Sequence, residues 1–250
     1  MEISELLNFA SEVGRQLLES GAETSRVEDT LDRIIKHFYS GHHEVLVVMT
    51  GLFVNIGTRT KTVRVKNRSI NLDRVSKINM LSRDIAESKV DFEEATKRLD
   101  KISNMETYPL WLKTLAVAMC CAFFTLLFDG GMNDAVNSFI AGILFYILSL
   151  FMRKHKNAEF VITFFSGVII SLLAVAADLS GFSKDTDSML IGSMMPLFPG
   201  LAITNAIRDI IAGDYLSGGA RVFDAVVVAV ALAAGAASVM YIAKYFYGGI

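Results

Sequence analysis

Cysteine, proline, histidine and tryptophan are scarce in this 250-residue chain, which holds two, three, four and one of them. Cys120 and Cys121 are adjacent inside an apolar run. Neighbouring cysteines rarely bridge each other, and metal sites want other spacings. His42 and His43 are also adjacent, so a strand would send them to opposite faces, away from any shared metal. No G-x-S-x-G, H-E-x-x-H or glycine-rich phosphate loop occurs. No catalytic residue, metal or cofactor is therefore assigned, and ATP-driven work is not expected of this chain. A net charge of −2 without a basic, aromatic-interleaved stripe excludes nucleic acid as a partner. The opening MEISELLNFASE lacks the basic and then apolar pattern of a signal peptide, so the front of the chain is expected to stay in the cytoplasm.

What the chain does have is an abrupt change of character. Residues 1–106 hold 16 of the 24 Lys and Arg and 17 of the 26 Asp and Glu. The expected organisation is a small α+β cytoplasmic domain over 1–106, then a membrane α-helical bundle over 107–250.

A bilayer core needs about 20 apolar residues in a helix. Five stretches qualify as transmembrane helices: 110–128, 135–152, 160–177, 189–212 and 222–243. Tyr108 and Trp111 flank the first, where amphipathic rings prefer the interface. Arg153-Lys154-His155-Lys156 follows the second and marks the cytoplasmic side; Arg208 and Arg221 lie between the fourth and fifth. The remaining two loops carry five acids and only Lys184. The reading is an N-terminus inside, five crossings and a C-terminus outside. An odd number of spans invites pairing with an oppositely oriented unit, as in inverted-repeat transporters.

The fourth stretch is the informative one. Pro196 and Pro199-Gly200 fall at membrane depth, where each proline removes a backbone donor and crowds the preceding turn. A helix broken there survives only where protein or a wet cavity surrounds it. The helix restarting after Gly200 would aim its positive end at an anionic group. Asn205, Arg208, Asp209 and Asp224 follow as candidate substrate-pathway residues, with a packing kink and interfacial anchoring as the structural alternatives. Glycines at 192, 200, 213, 218, 219 and 235 suit close helix packing.

In the front, Ile3, Leu6, Leu7, Ala10, Val13 and Leu17 form one helical stripe, and Val27, Leu31, Ile34, Ile35 and Phe38 another. Gly21 suits a left-handed stop between them, and Ser25 with Glu28 reads as a capping box for the second helix. Strands are expected at 44–55 and 62–66. Helices are expected at 72–88 and 92–102, the latter capped by Asp91 with Glu94 three residues on.

The segment Gly21-Ala22-Glu23-Thr24-Ser25-Arg26-Val27-Glu28 resembles the G-A-E-x-x-R-V-E signature of the threonine/serine exporter family. Pro199-Gly200, Asn205, Arg208-Asp209, Gly213-Asp214-Tyr215 and Gly218 resemble that family's proline-glycine region. Ile70-Asn71-Leu72 and the helix from Glu93 to Leu99 extend the likeness over nearly the whole chain. Full-length members carry roughly twice the spans read here, so the chain is similar to the larger, YjjP-type subunit of the split form. The resemblance implies a small membrane partner of YjjB type and proton-coupled export of small polar metabolites. Those are threonine and serine in the fused form, and C4-dicarboxylates such as succinate in the split one. It also implies gating or partner docking by Gly21, Ala22, Glu23, Arg26, Val27 and Glu28. Two other classes fit the residues: a membrane-anchored hydrolase, and a sensor or assembly subunit without flux of its own. Association between copies of the chain is left open.

Overall fold

The structure, a computed structural model, describes residues 2–66, 68–105 and 108–247. The boundary expected between 106 and 107 lies outside them. Contacts divide the chain into two compact units. The first joins Met1–Glu106 to Leu201–Val222, and the second joins Thr107–Gly200 to Phe223–Ile250.

The first unit begins with an antiparallel pair, α1 (Ile3–Glu19) and α2 (Thr24–Phe38). Both expected stripes are buried apart from their ends, Ile3 being exposed and Phe38 half-buried, with Leu6, Leu17, Leu31, Ile34 and Ile35 fully covered. Gly14 is where α1 comes closest to its neighbours: a Cβ there would lie 2.9 Å from Leu31 and 3.0 Å from Leu52. The sheet is an antiparallel meander of β1 (His43–Val48), β2 (Gly51–Ile56) and β3 (Arg59–Arg64). The run 44–55 is thus two strands rather than one, folded at Met49-Thr50 so that Val48 faces Gly51. Its near-continuous apolar character hid the turn, because neither turn residue is Gly, Pro, Asn or Asp. The strand expected at 62–66 begins earlier and pairs along β2. Two further helices, α3 (Leu72–Ala86) and α4 (Phe92–Ser103), close the core through Val75, Ile78, Ile85, Ala95 and Leu99. Asp91 caps α4 as expected, accepting from Glu94 N at 2.8 Å.

The second unit inverts this pattern. Its helices are α5 (Leu110–Leu127), α6 (Met132–Lys154), α7 (Glu159–Leu179) and α8 (Thr186–Met194), followed by a 3-10 turn, Met195–Leu197. Large apolar side chains face outward, Phe123 at 60% and Leu127 at 70% exposure, while Ser138, Ser166 and Asp134 are fully buried. Thr125 Oγ1 donates to Ser138 Oγ at 2.6 Å, and Asp134 accepts from Ser183 Oγ at 2.6 Å. Small residues bring backbones together: a Cβ on Gly142 would lie 2.8 Å from Ala118 Cα. Close packing through small residues, polar groups satisfied inside and apolar groups outside suit a hydrocarbon solvent.

The break expected in the fourth apolar stretch is present. Phe198 is extended (φ −65°, ψ 133°), and helix α9 (Gly200–Ile211) restarts after Pro199. The last helix, α10 (Tyr215–Tyr247), runs continuously for 33 residues. Four helices, α5, α6, α7 and α10, are long and apolar enough to span a bilayer; a fifth span exists if the segments either side of the break count as one.

Candidate functional site

The site forms in the first unit, where the α1–α2 turn meets α9 and the first turns of α10. Two helix stops of the same kind shape it. At the end of α1, Gly21 (φ +83°) lets Ala22 N bond Leu17 O at 3.0 Å and Gly21 N bond Leu18 O at 3.1 Å. At the end of α9, Gly213 (φ +91°) lets Asp214 N bond Asp209 O at 2.9 Å and Gly213 N bond Ile210 O at 3.0 Å. These are paired 6→1 and 5→2 closures around a left-handed residue, which glycine adopts without penalty.

The first stop leaves the Gly21 and Ala22 carbonyls pointing outward, and both are taken. Asn205 Nδ2 donates to Gly21 O at 3.0 Å, and Arg221 Nη2 donates to Ala22 O at 2.9 Å. Arg221 Nε also donates to Asp209 Oδ2 at 2.8 Å. The other carboxylate oxygen of Asp209 accepts from Thr24 N at 3.2 Å and Thr24 Oγ1 at 2.9 Å. Thr24 opens α2, so Asp209 supplies the anionic cap at this helix N-terminus.

The local N-cap, Glu23, makes no capping bond of its own. Its carboxylate instead accepts from Arg208 Nη1 at 2.6 Å, with Arg26 at 3.8 Å. The capping box expected from Ser25 and Glu28 is therefore not how α2 begins. Asp209 takes the first amide, and Glu28 reaches across to β1, accepting from Val47 N at 2.8 Å.

Asn205, Arg208 and Asp209 sit at i, i+3 and i+4, one face of α9. Asp209 is fully buried and Arg221 is 7% exposed, so the bond between them is made away from water and removing either leaves the other buried without its partner. Arg221 reaches the pair because α10 starts close against α9. Asp214 caps it, accepting from Ser217 N at 3.0 Å, and a Cβ on Gly218 would lie 2.9 Å from Ala206 O.

Two carboxyls here are displaced from their ordinary range. Burial pushes Glu28 up, the Val47 amide opposes this, and the negative Asp214, Asp29 and Asp209 add to the rise. Burial would raise Asp214 as well, but bonds from Ser217 and Thr24 and the charge of Arg221 bring it below the usual value.

Of the sequence-predicted residues, the structure gathers Gly21, Ala22, Glu23, Asn205, Arg208 and Asp209 into one network. Val27 is buried in the hydrophobic core, and Arg26 is exposed beside Glu23. Pro196 lies in the 3-10 turn of the second unit, with Pro199 and Gly200 at the break. A Cβ on Gly200 would meet nothing within 4 Å. Asp224 is on α10 in the second unit and exposed. Thr24 and Arg221 carry more of the network than the sequence assigned to them. Arg221 lies only 12 positions from Asp209, but Thr24 meets it from 185 positions away, which leaves no local trace. Among the described residues, no cluster of three or more His, Cys, Asp or Glu could hold a metal ion.

The family model described as "Putative threonine/serine exporter" matches residues 8–243. Among curated relatives, the "Probable succinate transporter subunit YjjP" of Klebsiella aerogenes is 28% identical over 212 residues, 82% of this chain and 81% of the relative. The protein of the same name in Escherichia coli is 27% identical over 215 residues, 83% of each. The "Threonine/serine exporter" of Corynebacterium glutamicum is 23% identical over 235 residues, 89% of this chain but 48% of the relative. No solved structure matches the chain. These relatives are transporters rather than enzymes, and several apolar helices make this a multi-pass membrane protein. The match over almost its full length places the chain in the threonine/serine exporter family.

Proposed function

We propose that the chain is the larger subunit of a two-subunit, proton-coupled secondary exporter of small polar metabolites. Its charged front, residues 1–106, stays on the cytoplasmic side. Residues 107–250 cross the membrane five times and end outside, with Arg153-Lys154-His155-Lys156 marking the inner surface. Like the relatives named as succinate transporter subunits, it is matched over most of both lengths, whereas it spans under half of the Corynebacterium exporter. That comparison supports a separate partner of YjjB type and favours a C4-dicarboxylate such as succinate, with threonine and serine as the second substrate class.

One observation carries the reading of the site: the buried Asp209–Arg221 pair ties the signature turn to α9, the helix that restarts after Pro199-Gly200. Glu23–Arg208 lies beside it and is more exposed. We read the two together as a latch that gates the cytoplasmic side of the pathway, its outer bridge breaking and reforming around the buried one. Glu28, which bonds β1 from the same helix α2, is raised by burial and by its acidic neighbours and is our candidate for the proton-coupled group. Pro196, Pro199, Gly200 and Asp224 remain pathway candidates. A substrate carboxylate would be met at the dipole of the helix after Gly200.

The test is counterflow in liposomes under an imposed pH gradient. The chain is reconstituted alone and with a YjjB-type subunit, using labelled succinate, threonine and serine. Flux that requires the partner is expected, strongest for succinate. No flux of any of the three with the partner present overturns the reading.

A further inference from the structure

A second polar feature lies on the first unit. A cavity of about 380 Å³ opens between α2 and α3, lined by Glu23, Arg26, Asp29, Arg33, Asn79 and Arg83 among others. Three guanidinium groups thus share one concavity with two carboxylates. Arg26 stands 3.8 Å from Glu23. Arg33 Nη1 donates to the neutral Ser82 Oγ at 3.2 Å. Among the described residues, no carboxylate lies within 4 Å of Arg33 or Arg83, although Glu87, outside the cavity lining, feels the Arg83 charge. Like charges gathered around a hollow raise the local potential and draw in an anion, and a guanidinium fork matches a carboxylate in particular.

The lining also says which carboxylate. A dicarboxylate bound by Arg33 and Arg83 would set its second charge in a lining that also holds Asp29 and Glu23, with only Arg26, itself 3.8 Å from Glu23, left to meet it. A compound carrying one carboxylate and one ammonium would satisfy both signs at once, with Asn79 available as a neutral partner. We propose that this cavity binds a small zwitterion, an α-amino acid, as a site separate from the transport pathway.

Its position gives it a consequence. The Glu23 carboxylate that lines the cavity is the one that Arg208 holds at 2.6 Å. An ammonium docked beside Glu23 competes with Arg208 for that carboxylate, so occupancy loosens the outer bridge between the signature turn and α9. The binding assignment stands independently of the exporter reading; only this regulatory consequence rests on it.

Equilibrium dialysis of the full chain in nanodiscs tests the assignment. The probes are labelled L-serine, ethanolamine (no carboxylate), D-glycerate (no ammonium) and succinate. Counting only the binding that the Arg33→Ala/Arg83→Ala double variant removes, saturable binding is expected for L-serine, with the other three weaker by about tenfold or more, the loss of one charged contact. Arg33→Ala and Arg83→Ala, both at exposed positions, should each weaken L-serine about tenfold while leaving the melting profile unchanged. Succinate or D-glycerate binding that the Arg33→Ala/Arg83→Ala double variant weakens as it weakens L-serine overturns the zwitterion assignment. L-serine binding that is absent, or unaffected by the double variant, overturns the site. Because no flux is measured, a failed transport assay leaves each of these outcomes readable.

Discussion

The two units of this protein solve the same packing problem in opposite solvents. In the first, Leu6, Leu17, Leu31 and Ile34 are buried while Lys97 pairs with Glu93 at the surface. In the second, Phe123, Leu127 and Val230 face outward while Ser138, Ser166 and Asp134 lie inside. Water drives the first core by expelling apolar area. The second gains nothing from moving a leucine out of lipid, and relies on close backbones and internal hydrogen bonds. The candidate site is the exception within the first unit: ionised Asp209 and Arg221 occupy a place where that unit elsewhere keeps hydrocarbon. Such a pair is a poor source of stability compared with packed apolar groups. In the proposed latch it is the fixed member, around which the more exposed Glu23–Arg208 bridge breaks and reforms.

The largest expected effect breaks that exception. Asp209→Ala leaves Arg221 buried without its partner and Thr24 without its acceptor, a loss of about 3–5 kcal/mol. Hydrogen exchange of the first turn of α2 should accelerate selectively; uniform exchange would show that Asp209 does not cap this helix.

The next tests the inverted solvent. Val230→Arg, at a position 62% exposed, should impair membrane insertion by about 2.5–3.5 kcal/mol. Thr60→Arg, at an exposed position of β3, should change stability by no more than about 0.5 kcal/mol. Equal tolerance of both arginines would remove the distinction between the units.

Packing comes third. A Cβ on Gly192 would crowd Thr125, whose Cα would be 2.6 Å away, so Gly192→Ala should cost about 1–3 kcal/mol in a detergent melt. Gly219→Ala, in helix α10 with nothing within 4 Å, should be neutral or stabilising by about 0.5–1 kcal/mol. Similar losses at the two glycines would contradict close helix contact at Gly192.

The smallest effect is in the pH dependence of the first unit. Glu28 is raised in the folded state, so its contribution is complete below the unfolded carboxyl value and is lost as pH climbs through the folded one. Asp214 is lowered, so its contribution is present above the unfolded value and is lost as pH falls through the folded one. Glu28→Gln keeps an acceptor for Val47 N. It should abolish the first slope and leave the second in pH-dependent unfolding.

Much of this was legible in the chain because local chemistry wrote it. Gly21 ends α1, Asp91 caps α4, and the two prolines break the fourth apolar stretch, each through backbone constraints acting within a few residues. The turn at Met49-Thr50 left no such mark, since its residues are not turn formers and its flanks read as one apolar run. The site was half legible. Asn205, Arg208 and Asp209 announce a polar face one turn apart on an otherwise apolar helix. That this face would donate to the Gly21 carbonyl and accept from the Thr24 amide, 184 and 185 positions away, depends on long-range pairing, which periodicity does not encode.

In the proposed exporter the signature turn and α9 work as a latch, and the Glu23–Arg208 bridge is its accessible half. We would measure pH-gradient-dependent flux with the partner subunit for Glu23→Arg, Arg208→Glu and the two combined. The account expects each single reversal to lose most of the flux, because two like charges then meet where a 2.6 Å bridge stood, and the combined swap to recover a substantial part. Single reversals that transport normally, or a swap no better than either single, would contradict it.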